Sequence, residues 1–253
     1  MTDILVITAT LGVRDSLKRT VSSVAEQGGQ RVKHIITCPR KEINNLKTVF
    51  PHLEVVAEPE NKKGIYPALN SAIKRFATKY KYVTYINDDD YWLPGFKKLI
   101  TTMDENEQLD AVYAKTLFVN ENNNKIGEQT SSPRYKSFKV LLKKKIVLFT
   151  QQATLIKSEL FYKIGGFDES YKLIADSKFW VKAIDLNATF SYVNCLAAAY
   201  TIQQDQLSSD KTTQNKEYIR LFQEKHFNKI DEYEIMSESA LFRLRNLLNY
   251  IKR

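Results

Sequence analysis

The sequence predicts an α/β fold: a mostly parallel central sheet flanked by helices, with a helical extension at the C-terminus. Three observations predict it. Short apolar runs of strand character alternate with stretches of helical periodicity through the first hundred residues, which is the arrangement of βαβ units. The 253 residues suffice for one catalytic-sized core with an appendage. From about Lys216 the chain reads as helical to its end.

Each element has its own warrant. "DILVITA" (3–9) is a short buried-strand pattern. Arg14 to Gln27 reads as a helix with Leu17, Val21 and Val24 on one face, stopped by Gly28-Gly29. "VKHIITC" (32–38), followed by Pro39, and "LEVVAE" (53–58) are further strands. A Pro-Glu-Asn-Lys-Lys-Gly loop then leads to a helix from about Tyr66 to Lys79, and "YVTYIN" (82–87) is a fourth strand. After Leu93 come a helix over about 94–105, a strand-turn-strand pattern over 110–129 with an Asn-rich turn, and the basic segment "KVLLKKK" (139–145). A short strand "QATLIK" (152–157), a helix around Asp176–Leu186 and strands near 189–203 complete the domain. With no linker rich in Pro, Gly or Ser, the expected division is a catalytic domain over 1–210 and a helical extension over 211–253. Within the first, 1–95 and 96–210 form two halves.

Composition is that of an ordinary globular protein, 43% hydrophobic and 26% charged, but the net charge is +9. Such a balance favours nucleic acids, anionic membranes or phosphorylated ligands. The opening "MTDILVITAT" lacks the basic and apolar regions of a signal peptide, and no apolar run approaches the ~20 residues that span a bilayer. Cys38 and Cys195 stand in unrelated contexts, so neither a disulfide framework nor a metal-ligand spacing is expected. The expectation is a cytoplasmic protein, soluble or peripheral on a membrane. Much of the positive charge sits in "KVLLKKK" and in the last thirteen residues, where Arg243, Arg245, Lys252 and Arg253 accompany Leu241, Leu244, Leu248 and Ile251 at helical spacing. A basic amphipathic helix of this kind lies on an anionic membrane, packs on the catalytic domain, or pairs two copies in a homodimer.

In sheets of this class ligands bind outside the carboxyl ends of the strands. That is where Asn87-Asp88-Asp89-Asp90 falls, at the end of the fourth strand. Clustered carboxylates there suit a hard divalent cation, which takes oxygen ligands and keeps water or phosphate oxygens in its shell. The bland alternative is a solvated turn, with Asp90 capping the helix begun near Pro94. Neither common glycine-rich phosphate loop is present. The first strand instead ends in "TATLGVRDSL", whose hydroxyls and Arg14 stand at a helix start, either to contact an anionic nucleotide or as a cap and a surface arginine. Asp176 in "LIADSKFWVKA" is either an N-cap or a general base facing the cation site. Upstream, "KIGGFDESY" offers a tight turn at Gly165-Gly166, a core Phe167 and a structural Asp168.

In this order the segments resemble the family 2 glycosyltransferases, nucleotide-sugar enzymes of the GT-A fold. "TATLGVRDSLKRTVSSVAEQ" is similar to that family's opening strand and helix, and "AEPENKKGIYPALNSAI" to its E-x-D-x-G-I-Y-D-A-M-N-K-G-I stretch. "YINDDDYWLPG" is similar to the L-[DN]-x-D-D-x-x-x-P-G metal motif, and "QQATLIKSELFYKIGGFDESYKLIADSKFWVKA" to the acceptor-side half. The resemblance runs from about residue 4 to about residue 208. It implies a single-sugar transferase that inverts configuration, using a nucleotide-diphosphate sugar as donor and a glycan or lipid-linked glycan as acceptor. Asp89 would ligate Mn²⁺ or Mg²⁺, with Asp90 assisting at the metal and Asp88 at the donor. Thr8, Thr10 and Arg14 would line the nucleotide pocket; Lys63, Tyr66 and Asn70 would lie near the nucleobase or diphosphate. Asp176 would deprotonate the acceptor.

Three departures stand out. Cys38-Pro39 occupies a position where many members carry a base-contacting Asp, leaving Glu58 or the backbone for that contact; Pro67 and Gln151 replace a common Asp and His. The absence of Q-x-x-R-W argues against a processive polymerase. Two other classes fit less well. A nucleotidyltransferase would want a glycine-rich, basic loop after the first strand. A nucleic-acid-binding module would interleave its basic residues with aromatics, so nucleic acid is not expected as a partner.

Overall fold

The computed structural model describes residues 2–247, except 204, 205, 207 and 208. The chain runs β1 (Ile4–Ala9), α1 (Asp15–Gly28), β2 (Val32–Cys38), α2 (Ile43–Val49), β3 (Glu54–Ala57), α3 (Ile65–Phe76), β4 (Tyr82–Tyr85), β5 (Tyr91–Trp92) and α4 (Phe96–Glu105). It continues with β6 (Ala111–Asn120), β7 (Lys125–Glu128), α5 (Phe138–Leu142), β8 (Thr154–Lys157), α6 (Ser158–Ile164), α7 (Ala175–Asp185), β9 (Phe190–Ile202), α8 (Lys211–Phe222) and α9 (Glu232–Arg245). The strands form one sheet in the order β3-β2-β1-β4-β8-β6-β9-β5, with β7 paired to β6. β1, β2, β3, β4, β6 and β9 run one way, and β5, β7 and β8 run the other.

The unbroken apolar run of β1 follows from burial on both faces. Ile4 and Val6 join Val24 of α1 and Leu99, Ile100 and Met103 of α4. Leu5 and Ile7 point the opposite way, into the larger cluster with Tyr66, Leu69 and Ile73 of α3. Helices therefore cover both faces, and the carboxyl ends of the parallel β1, β2 and β4 lie along one edge.

β8 enters antiparallel between β4 and β6, pairing Val83 with Ile156 on one side and Ala111 with Ile156 on the other. The strands expected near 189–203 are a single long strand, β9, whose register against β6 shifts around Lys115. Its far end also pairs with β5, through Tyr91↔Ala199 and Trp92↔Ala198. That pairing ties the segment following the acidic triplet to a strand about a hundred residues later. Four elements are additional to those expected: α2, whose only buried residue is Leu46; α5, at the start of the basic segment; α6, which starts directly at the end of β8; and β5, two residues long.

The C-terminal extension packs on the same core, with Tyr218, Leu221, Phe227 and Phe242 joining the larger cluster. α9 buries Ile235, Ser239 and Phe242; Leu244, expected on the apolar stripe, is 69% exposed. Phe242, the bulkier side chain, takes the inward position. Arg134 and Ser137 bind Glu238 of α9, the latter at 2.6 Å. Leu248, Ile251, Lys252 and Arg253 of the expected tail helix lie outside the described residues. Among the described residues, no helix is long and apolar enough to cross a membrane.

Candidate active site

The three adjacent aspartates have three different environments. Asp90 is fully buried. Its Oδ1 accepts the Thr201 backbone N–H at 2.9 Å, and its Oδ2 accepts Asn87 Nδ2 at 3.0 Å and Gln152 Nε2. Its carbonyl accepts the Thr20 hydroxyl at 2.6 Å. Burial and the adjacent Asp89 push its carboxyl well above the ordinary range. Asp90 thus anchors the β4–β5 link to β9, α1 and the segment before β8. The expectation that it shares the cation is corrected: both oxygens are committed inside the protein. Nor does it cap α4, which begins with Phe96 after Gly95.

Asp89 is half-buried. Its carbonyl accepts the Thr201 hydroxyl at 2.6 Å and Arg19 Nη2 at 2.9 Å, which fixes the backbone. Among the described residues its carboxylate receives only a long contact from Gln203 Nε2, 3.5 Å. Burial first, and Asp88 second, push its pKa up to about 6. Asp88 has a donor, the Thr10 hydroxyl at 2.6 Å, and an ion-pair partner, Arg14 Nε at 3.7 Å. Thr10 also accepts the Gly12 N–H at 3.3 Å, shaping the turn into α1. Arg14 stands at the N-cap position of α1 without a capping side-chain bond and is half exposed.

Thr8 departs from expectation. It is fully buried and bonded to His34 Nε2 at 2.9 Å, and burial pushes that imidazole down to about 3. The pair is an interior hydrogen bond and lines no open pocket. Cys38, at the end of β2, is also buried, and burial with Glu58 and Glu42 raises its thiol to about 11.

Tyr66, expected near the nucleobase or diphosphate, is buried against Asp176. Its hydroxyl lies 3.1 Å from the Leu173 carbonyl and 3.3 Å from Asp176 Oδ1. Asp176, half-buried, is the second residue of α7, and the N-cap position belongs to Ile174, which provides no side-chain cap. Asp176 Oδ1 also accepts the Ser177 N–H at 2.7 Å; Oδ2 bonds to none of the described residues. Burial is the largest influence on this carboxyl and raises it to about 6 against the opposing hydrogen bonds. Tyr85, at the end of β4, is buried, and burial first, then the nearby Asp176 and Asp90 carboxylates, hold its hydroxyl well above the ordinary range. It links the two halves of the site.

Asn70 is a bracket and does not line a pocket. It donates to the Phe167 carbonyl at 2.8 Å and to Glu169 at 3.0 Å, and accepts the Phe167 N–H at 2.9 Å. The expectation of an Asn70 near the donor is corrected, because its amide is spent on the turn it holds. Gly166 in that turn has φ +85°, and a Cβ there would lie 2.6 Å from Asn70 Oδ1. Phe167 is in the core, and Asp168 pairs with Lys178 at 2.8 Å. Lys63 is exposed on the loop ahead of α3.

Sequence reasoning missed Arg19, Thr201 and Gln203. With Asp15, Ser16, Glu121 and Asn123 they line a cleft of about 460 Å³ beside Asp89. Arg19 lies within the quoted stretch "TATLGVRDSLKRTVSSVAEQ" but was not singled out there, and the β5–β9 pairing brings 201–203 to Asp89. Among the described residues, no three His, Cys, Asp or Glu side chains are grouped to hold a metal. Asp88 and Asp89 offer at most two carboxylates. Such a set fits a hard cation that draws its remaining oxygens from water and a diphosphate, and the donor-poor Asp89 carboxylate is the group such an ion would relieve.

The model of "Glycosyl transferase family 2" matches residues 5–165, well over half of the chain. Among solved structures, S. aureus TarS 1-349 in complex with UDP-GlcNAc superposes with a TM-score of 0.66 at 17% identity, over 96% of this chain and 72% of that one. The mannosyltransferase PcManGT from Pyrobaculum calidifontis, in complex with GDP-Man and Mn²⁺, gives 0.64 at 14% identity, over 96% and 70%. The chain spans 60% of another TarS 1-349 structure and 43% of a longer TarS structure. Likenesses at these identities establish the GT-A fold. No curated protein matches the chain significantly.

Proposed function

Since the chain belongs to glycosyl transferase family 2 and is a glycosyltransferase, we propose that it moves one sugar from a nucleotide-diphosphate sugar to an acceptor hydroxyl, with inversion and with help from a divalent metal. The observation that carries this reading is Asp176: a half-buried carboxyl at about 6, held by Ser177 and Tyr66 through one oxygen, with no partner at the other among the described residues. A carboxyl in that range is mostly ionised at neutral pH and basic enough to take a proton in the transition state.

Asp176 Oδ2 takes the proton of the acceptor hydroxyl as its oxygen attacks the anomeric carbon. The bond from that carbon to the donor phosphate oxygen breaks, and its electron pair leaves with the diphosphate. Tyr66 and the Ser177 N–H hold the other oxygen of Asp176, so the carboxylate keeps its orientation during transfer. Asp89, with Asp88 beside it, would hold Mn²⁺ or Mg²⁺; when bound, the ion offsets charge on the departing diphosphate. Arg14, exposed at the start of α1, faces the same edge and offers a bidentate cation to phosphate. The net charge of +9 and the exposed Arg243 and Arg245 support an anionic surface as the place of work, so we assign the acceptor to a lipid-linked surface glycan of the capsule, O-antigen or lipopolysaccharide type.

The test is a thermal-shift and turnover series with UDP-, dTDP- and GDP-sugars, with and without Mn²⁺. A bound donor raises the melting temperature. The Asp176→Asn variant keeps that rise and loses transfer; wild-type turnover in this variant refutes the base assignment.

A further inference from the structure

We infer that α8 belongs to the active site: Glu217, with Arg220 and Glu224, is a positioning group that holds the segment carrying Asp176. This rests on Asp176 being the base. The three residues share one face of the helix and its end, at spacings of three and four. Each one grips the stretch Asp168–Lys178.

Glu217 makes the tightest grip. Its side chain is buried, 8% exposed, and its carboxylate accepts three successive backbone N–H groups: Lys172 at 2.6 Å, Leu173 at 2.9 Å and Ile174 at 3.2 Å. These are the last N–H groups before α7, and Asp176 is two residues further on. The same Leu173 presents its carbonyl to the Tyr66 hydroxyl. One residue thus has its N–H held by α8 and its carbonyl by the partner of the base. A helix start leaves N–H groups without partners, and the residue at the N-cap of α7, Ile174, has no side chain to serve them. Of those groups Glu217 takes the Ile174 N–H, and it adds the N–H groups of the two residues before it, so it fixes the approach to α7 from more than forty residues downstream.

Arg220 and Glu224 extend the grip upstream and downstream. The Arg220 guanidinium lies 3.9 Å over the Tyr171 ring and donates to the Ser170 carbonyl at 3.1 Å. Glu224 accepts the Tyr171 hydroxyl at 2.7 Å and binds Lys178, whose ammonium also reaches Asp168 at 2.8 Å. Asp176 is flanked on both sides by residues fixed from α8. A base must sit within a fraction of an ångström of its productive place, and a shift of ~1 Å costs on the order of 10²-fold in rate. A burial-only role for α8 would need its apolar face, Tyr218 and Leu221, and not three charged side chains aimed at one segment.

The test uses the full chain with Glu217→Gln, Glu217→Asp, Arg220→Ala and Asp176→Asn, reading kcat, donor KM and donor-induced thermal shift. Glu217→Gln replaces one accepting oxygen by an amide that faces N–H groups. It is expected to lower kcat at least about tenfold with donor KM and thermal shift unchanged, and Glu217→Asp recovers part of the loss. Arg220→Ala, an exposed residue, lowers kcat several-fold at unchanged donor KM. If the Glu217 variants fail to fold, Arg220→Ala decides by the same split. Wild-type kcat in Glu217→Gln or Arg220→Ala overturns the inference, as does a kcat loss matched by an equal loss of donor binding. Should Asp176→Asn be inactive while Glu217→Gln is fully active, the positioning role falls and the base assignment stands. If Asp176→Asn turns over normally, both fall.

Discussion

Replacing Asp176 by Asn is expected to abolish transfer and to stabilise the protein. The carboxyl is raised from 3.8 to about 6, and each tenfold change in proton affinity is worth about 1.4 kcal/mol. Carrying the ionised form at neutral pH therefore costs the fold on the order of 3 kcal/mol, chiefly through burial. The sign follows from linkage. The folded state holds this proton more tightly than the unfolded state, so the wild type gains stability as pH falls from about 6 toward 4. The neutral Asn escapes the cost, and its Oδ1 still accepts from Ser177 and Tyr66. Its advantage is full above pH 6 and vanishes below about pH 4. For a chain of this length 1 kcal/mol moves Tm by about 2–4 °C, so a rise of roughly 6–12 °C at pH 7.5 is expected, with urea unfolding giving the free energy at several pH values. Wild-type transfer should show the matching acid limb, falling about tenfold per pH unit below about 6. A variant less stable than wild type at pH 7.5, or an advantage that does not change with pH, refutes the electrostatic account of Asp176.

Other outcomes follow from the same geometry. Asp89→Asn should remove the Mn²⁺-dependent part of the donor-induced thermal shift and leave the unliganded Tm equal to or above that of wild type; an unaltered metal response refutes the cation seat. Asp90→Ala should lower stability by about 3 kcal/mol or more, because it strands the buried donors of Thr201, Asn87 and Gln152 at about 1–3 kcal/mol each; chemical unfolding with a wild-type midpoint contradicts this. Gly166→Ala should destabilise by at least about 1 kcal/mol through its positive φ and drive Asn70 from the turn, which calorimetry would detect as a lower Tm.

The alternation of strands and helices was legible because β1 to β4 are buried on both faces, and burial writes itself as continuous apolar runs. The place of the site was legible for the same reason: where such a run stops in acids, a strand has reached its carboxyl edge. The division of labour among those acids was not. Nothing local distinguishes Asp89 from Asp90. Their difference is made by Thr201 and Gln152, which arrive through β9 and the segment before β8. Thr8 and Asn70 were misplaced for a related reason. Strand-end hydroxyls and helix amides look alike in sequence whether they face a ligand or, as here, His34 and Phe167. Glu217 carried no signal, since its partners are backbone N–H groups and backbone has no motif.

The placement of the three aspartates also argues for a single cation seat. Adjacent carboxylates repel, and a fold can relieve that by donors, by a neighbouring cation or by a bound ion. Asp90 uses the first, with side-chain and backbone donors on both oxygens. Asp88 uses the first and second, through Thr10 and Arg14. Asp89 has its carbonyl fixed by Thr201 and Arg19 but its carboxylate nearly bare, with Gln203 at 3.5 Å. Asp88 and Asp90 thus draw donors from the protein itself, while Asp89 has its backbone held rigid and its carboxylate short of donors, Arg14 and Arg19 offsetting only part of what burial and Asp88 add. That combination has little use in a solvated turn, where an Asp would face water and keep an ordinary pKa. It suits a ligand whose position is set by the fold and whose charge is supplied from outside.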